Sequence, residues 1–219
     1  MIEHHLSDSL LIGYAAGTLP EAFNLVVATH VSLCDDCRAR LGAFEALGGA
    51  MLEEATDTAA APAAMSQGAF EATMRRITNM PPEPARAPRP RSTGLFPAPL
   101  VDYVGGDLDA VKWRSVGGGV RQSILPTSKE ASVRLLYIPA GAAVPDHGHR
   151  GLELTLVLQG AFRDDFDRFG PGDVEIATEE TNHTPIAEPG PDCICLAATD
   201  APLRFKGLLP KLAQPFFRI

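Results

Sequence analysis

The 219-residue chain is 45% hydrophobic and has a formal net charge of −8, with a pI near 5.2. That size supports one large domain or two small ones with real cores, and the acidity argues against direct binding of DNA or RNA. No apolar run reaches membrane-spanning length and the start, Met1-Ile-Glu-His-His5, has no basic or apolar leader region, so a soluble cytoplasmic protein is expected.

Residues 1–80 read as helical. Ser7 or Asp8 caps a short helix through Leu10, Leu11 and Tyr14, which Gly17 ends. Thr18-Leu-Pro-Glu21 has the form of a capping box with Pro20 in the first turn, and it opens a helix that buries Phe23, Val26 and Val27 and carries His30 near its end. Leu41, Phe44, Leu47 and Met51 give a third helix. Phe70, Met74 and Ile77 give a fourth, whose apolar stripe either packs on its neighbours or is a candidate partner-binding face. An Ala-rich stretch from about Ala55 to Ala64 separates the last two.

The four cysteines come in two tight pairs, which points to metal or redox chemistry in a reducing compartment and away from a disulfide framework. His30, Cys34 and Cys37 stand at i, i+4, i+7, so on a helix or across a helix–turn–helix junction they face one point. A closed tetrahedral zinc site needs a fourth ligand, for which His5 or His4 is the nearby candidate. With the leading segment His5-Leu-Ser-Asp-Ser-Leu-Leu and the Ala-Gly-Thr-Leu-Pro-Glu stretch, the pattern resembles the zinc-binding anti-sigma factors, in the branch that serves the singlet-oxygen response and ends in a cupin-like domain. The resemblance implies that His5, His30, Cys34 and Cys37 bind a structural Zn2+. It also implies a four-helix N-terminal domain that grips an extracytoplasmic-function (ECF, group IV) sigma factor in a one-to-one complex, with no direct nucleic-acid contact and no membrane. Residues 1–80 hold four arginines, no lysine and ten acids, a net charge of −6 that suits basic sigma-factor surfaces.

Met80-Pro-Pro-Glu-Pro-Ala-Arg-Ala-Pro-Arg-Pro-Arg91 contains five prolines and reads as an extended spacer, giving a linker over 81–97. From about residue 98 the pattern becomes β. Short apolar or alternating runs at Ser132–Ile138, Glu153–Gln159, Val174–Ala177 and Cys193–Ala198, punctuated by Gly and Pro, indicate an antiparallel sandwich or barrel over 98–219. The expected fold is therefore α + β in two domains, a zinc-bound four-helix unit and a β-barrel.

Gly141-x5-His147-x-His149-x3-Glu153-x6-Gly160 matches the first cupin motif, and Gly172-Asp173 with His183 resembles the second, whose terminal Asn is absent, with Ala187 near its place. Three histidines and Glu153 hold Zn2+ or another divalent transition metal. Cys193 and Cys195 share a strand face. If that face is the interior, they are candidate redox sulfurs near the metal; otherwise they are two small buried hydrophobes, and strand geometry does not favour a disulfide between them. The resemblance extends to Lys-Leu-Ala-Gln-Pro-Phe-Phe-Arg-Ile219. It implies a negative regulator of transcription and not an enzyme, which releases its sigma factor on an oxidative signal sensed by the cupin domain. The alternative is a cupin metalloenzyme, a dioxygenase or isomerase, with a zinc-bound docking domain.

Overall fold

The computed structural model describes residues 1–58, 65–81, 94–205 and 207. The core of the Pro-rich spacer, the end of the Ala-rich stretch and the closing Lys211–Ile219 segment lie outside the described residues. Helix α1, Asp8–Ala15, starts at Ser7, whose hydroxyl accepts from the Leu10 amide, and the chain leaves it through Gly17 at φ +66°, a conformation costly for any residue with a Cβ. Helix α2 spans Glu21–Leu33 and α3 spans Asp35–Thr58, while α4 covers Ala69–Asn79.

The expected capping box does not form. Pro20 takes the N-cap position of α2 and Thr18 instead donates to the Gly13 carbonyl at 3.2 Å. Glu21 is drawn outward, accepting from the Tyr103 hydroxyl at 2.8 Å and from the Ser128 amide at 2.6 Å. A second correction falls at the start of the region read as β. Pro97 opens a helix, α5, Ala98–Val104, which Gly105 closes at φ +79°, and a 3-10 turn follows at Leu108–Ala110. Pro before and Gly after a short apolar run is the helix signal at this position.

The strands are β1 Arg114–Gly117, β2 Val120–Leu125, β3 Ser132–Ile138, β4 His147–Gly148, β5 Glu153–Gln159 and β6 Phe162–Arg163. They continue as β7 Arg168–Phe169, β8 Val174–Ala177, β9 Asn182–His183, β10 Ile186–Ala187, β11 Cys193–Thr199 and β12 Arg204–Phe205. One antiparallel sheet has the order β1-β2-β3-β11-β5-β8, and two three-stranded sheets run β10-β6-β7 and β12-β4-β9. None of these sheets closes on itself among the described residues, which form antiparallel sheets and no closed barrel. The reason is local: β4, β6, β7, β9, β10 and β12 are two residues long, interrupted by turns such as Gly170-Pro-Gly172 and Pro189-Gly-Pro191.

Strand alternation gives the large sheet two faces. Leu135, Leu154, Leu156, Ile194, Leu196 and Ala198 point outward and join Phe23, Val26 and Val27 of α2 and Leu100 of α5 in one core. Ile138, Val157, Cys193 and Cys195 point inward and pack with Phe162, Phe169 and Ala187. The helical region and the sheet thus share a hydrophobic core. Each fully buried leucine in it contributes about 2 kcal/mol through area removed from water. Beyond Leu41 the contribution of α3 fades, with Leu47 and Met51 exposed at 59% and 63%, and α4 buries none of its residues.

Candidate metal centres

His5 lies in the extended segment before α1, His30 in the last turn of α2, Cys34 at the α2–α3 junction and Cys37 in the first turn of α3. Their donor atoms all lie within 4.8 Å of one another. His5 Nδ1 is 3.2 Å from Cys34 Sγ and 3.7 Å from Cys37 Sγ, close to the edge of about 3.6 Å that Zn–S and Zn–N bonds give in a tetrahedron. The Cys37 amide points at Cys34 Sγ at 3.4 Å, a contact that favours a thiolate at the start of α3.

His30 supplies the sharpest test of fit. Its Nδ1 faces the Gly172 carbonyl at 2.9 Å; a carbonyl only accepts, so Nδ1 carries the hydrogen and Nε2 the lone pair. That Nε2 is buried and has no hydrogen-bond partner. Burial lowers the His30 pKa to about 4, so the ring is neutral and ready to ligate. Burial also pushes the Cys37 thiol up, with the Cys34 sulfur beside it, so a cation must displace its proton to bind. An orphaned buried nitrogen beside two sulfurs and a second imidazole fits zinc.

The second cluster is built by β4 and β9, where His147 pairs directly with His183, and by His149 one residue past β4. His183 Nε2 is 3.2 Å from His147 Nε2 and 3.3 Å from His149 Nε2. Three nitrogens about 2.05 Å from a tetrahedral metal are separated by about 3.3 Å. The rings are held from behind. His147 Nδ1 donates to the Pro145 carbonyl at 2.8 Å, and His183 Nδ1 faces Glu175 Oε1 at 2.8 Å and Asp164 Oδ2 at 3.0 Å. Burial lowers both His147 and His149 to about 4, whereas Glu175 and Asp164 overcome burial and raise His183 to about 9. Glu153 falls outside this cluster. Its Oε2 lies 3.7 Å from His149 Nδ1, and burial, with Glu175 nearby, raises its carboxyl to about 7. Glu175 and Asp164 escaped the sequence reading. An acid in the middle of the apolar Val174–Ala177 run was the available signal for Glu175.

Cys193 and Cys195 face the interior, free and fully buried, with their sulfurs 3.4 Å apart. The hydrogen bond with Cys193 and burial push the Cys195 thiol well above its ordinary value, which keeps it protonated. A cavity of about 110 Å³ reaches Cys195, Arg134, Glu153, Glu175 and His147. Neither cysteine belongs to a cluster of metal-ligating atoms among the described residues. On α4, Phe70, Met74 and Ile77 are 64%, 42% and 58% exposed, so their stripe is left open among the described residues.

His4, the other candidate for the fourth ligand, lies outside the zinc-type cluster and clasps the N-terminal segment to the β-region. Its Nε2 meets Asp167 Oδ2 at 2.9 Å, its ring lies 4.5 Å from that of Phe169, and its carbonyl accepts from the Val174 amide at 3.2 Å. The Glu3 and His4 amides donate to Asp173 Oδ1 at 2.7 and 3.0 Å. Burial opposes a charge on His4, yet Asp167 and Asp173 raise its pKa. Among the described residues no helix is long and apolar enough to cross a membrane.

Comparison with known proteins joins these features. A family model described as the ChrR cupin-like domain matches residues 102–202. The chain is 64% identical over 220 residues to the anti-sigma-E factor ChrR of Cereibacter sphaeroides, covering 100% of this chain and 99% of that protein. Among solved structures it is similar to that of Rhodobacter sphaeroides SigE in complex with the anti-sigma ChrR, with 62% identity, a TM-score of 0.76 and coverage of 91% of this chain and 100% of that one. An RmlC-like cupin protein from Ralstonia eutropha is 24% identical over 47% of this chain and 71% of its own, with a TM-score of 0.40.

Proposed function

The chain belongs to the ChrR family of anti-sigma factors, and we propose on that premise that zinc at its N-terminal site shapes the surface that holds an ECF sigma factor. It is a regulatory protein and not an enzyme: it binds its sigma factor one to one and keeps it from RNA polymerase. The observation that carries this reading is the match over the whole chain to a relative named for that role, reinforced by similarity to the solved SigE–ChrR complex.

In this reading residues 1–80 form the sigma-binding unit, 81–97 the linker and 98–219 the cupin-like unit. His5, His30, Cys34 and Cys37 hold Zn2+, whose part is structural: it ties the leading segment to the α2–α3 junction. His147, His149 and His183 hold Zn2+ or another divalent transition metal, which supplies a Lewis-acidic, ligand-accepting centre, and Glu153 stands beside the set, 3.7 Å from His149 Nδ1. The stripe of Phe70, Met74 and Ile77 meets the partner, since an apolar helix face left exposed among the described residues suits a groove on a second protein. Singlet oxygen or a related oxidant, received in the cupin-like unit at its metal or at Cys193 and Cys195, promotes release in the cytoplasm. Release requires that the two states of the protein differ in affinity for sigma.

Tagged full-length protein, mixed at low salt with the ECF sigma factors of its own cell, tests the reading. One-to-one capture of one of them is expected, and failure to capture any would overturn it.

A further inference from the structure

Two short segments each contact His183 of the histidine cluster at one end and, at the other, either a residue of the thiolate site or the neighbour of one. In the turn from Asp164 to Asp167, Asp164 Oδ2 faces His183 Nδ1 at 3.0 Å and its Oδ1 accepts the amides of Phe166 and Asp167, both at 2.9 Å. The turn is closed by the Asp164 amide donating to the Asp167 carbonyl at 3.0 Å, and Asp167 grips His4, the residue before the ligand-site His5. In the segment from Gly172 to Glu175, Glu175 Oε1 faces the same His183 Nδ1 at 2.8 Å. Two residues back, Asp173 accepts the Glu3 and His4 amides, and the Gly172 carbonyl fixes His30.

His183 Nδ1 carries a single hydrogen and meets two carboxylates. It donates fully to one of them, and which one depends on how the ring is turned. A cation at Nε2 fixes that orientation. One choice tightens the turn that grips His4; the other tightens the strand start that fixes His30. Packed interiors switch between discrete arrangements and do not deform continuously, so a change of partner at His183 passes into both segments.

Resting on the two-metal reading above, we infer that Asp164 and Glu175 are positioning residues that couple the two metal centres, so that filling the three-histidine cluster changes the affinity of the thiolate site. Linkage makes the effect reciprocal.

Cobalt(II) is the probe. Sulfur-to-cobalt charge transfer reports the thiolate site, whereas the histidine cluster has no sulfur ligand. Chelator competition is run on the full-length chain and on His147→Ala/His149→Ala, which leaves the cluster empty. The thiolate-site affinity is expected to differ between them by about fivefold or more. Repeated in the Asp164→Asn/Glu175→Gln background, the same histidine substitutions should shift it less than about twofold, the cycle isolating the coupling from simple packing damage. Asp167→Asn, which touches neither ligand set, provides a second cut and should reduce the shift if the doubly substituted chain fails to fold. Equal thiolate-site affinity with the cluster filled or empty, or a full shift surviving both cuts, would overturn the coupling. Sigma capture by the same preparations is scored separately: capture without the shift overturns only the coupling, and the shift without capture overturns only the anti-sigma reading.

Discussion

Gly172 shows how much rests on single atoms. Its φ of +91° lies where a Cβ is strained, and an added Cβ would stand 2.6 Å from Ile2 Cδ1. Its carbonyl also sets the tautomer of His30. Gly172→Ala should lower stability by about 1–3 kcal/mol and weaken zinc at a site on another element, read by chemical denaturation and chelator competition. Asp173 offers a test with a sign. Burial alone would raise its carboxyl, but the amides of His4, Gly170 and Glu3 offset that and hold it below its ordinary value. A depressed folded pKa contributes stability that is present above the unfolded value, near 3.9, and is lost as pH falls through the folded one. Asp173→Asn should therefore cost about 1–3 kcal/mol at neutral pH, and unfolding of the metal-free chains should show the gap narrowing below about pH 4. The zinc spacing around His30 was legible because His-x3-Cys-x2-Cys brings its three donors to one point across a helix–turn–helix junction, with Cys34 extended between α2 and α3. The holders of those ligands were not, because Gly172, Asp164 and Glu175 reach their histidines only through tertiary contact.

At the scale of elements, periodicity located the helices around Leu10, Phe23, Leu41 and Phe70 and the strands β3, β5, β8 and β11, but it missed β1 and β2 and placed the start of the Ala-rich stretch outside α3, which runs on to Thr58. It failed at α5 and at the two-residue strands, which are too short to carry a period and take their shape from Pro, Gly and neighbouring backbone. The partner-binding role proposed for helix α4 can be tested apart from folding. Because Phe70, Met74 and Ile77 are exposed, Met74→Asp should change stability by no more than about 0.5 kcal/mol while weakening sigma capture at least about tenfold. A loss of thermal stability equal to the loss of capture would show instead that the stripe serves folding.

For the whole molecule, composition suggested two units on a tether, yet α2 and α5 cover the outer face of the large sheet and their side chains share its core. That arrangement was not readable from sequence, because a helix face and a sheet face each look complete by themselves. Leu196→Ala, in the middle of the shared core, should cost about 2–5 kcal/mol. Loss of helicity and the change in fluorescence of the single tryptophan, Trp113 in the β-region, should also coincide in one thermal transition; two separated transitions would refute a common core.

The central claim is that zinc at His5, His30, Cys34 and Cys37 makes the surface that holds sigma. Native mass spectrometry of the sigma complex, formed with the zinc-loaded full-length chain and with Cys34→Ser/Cys37→Ser, tests it most directly. The account predicts a one-to-one complex whose mass includes the bound zinc, and loss of that complex in the substituted chain. A complex of equal abundance without metal at that site would contradict it.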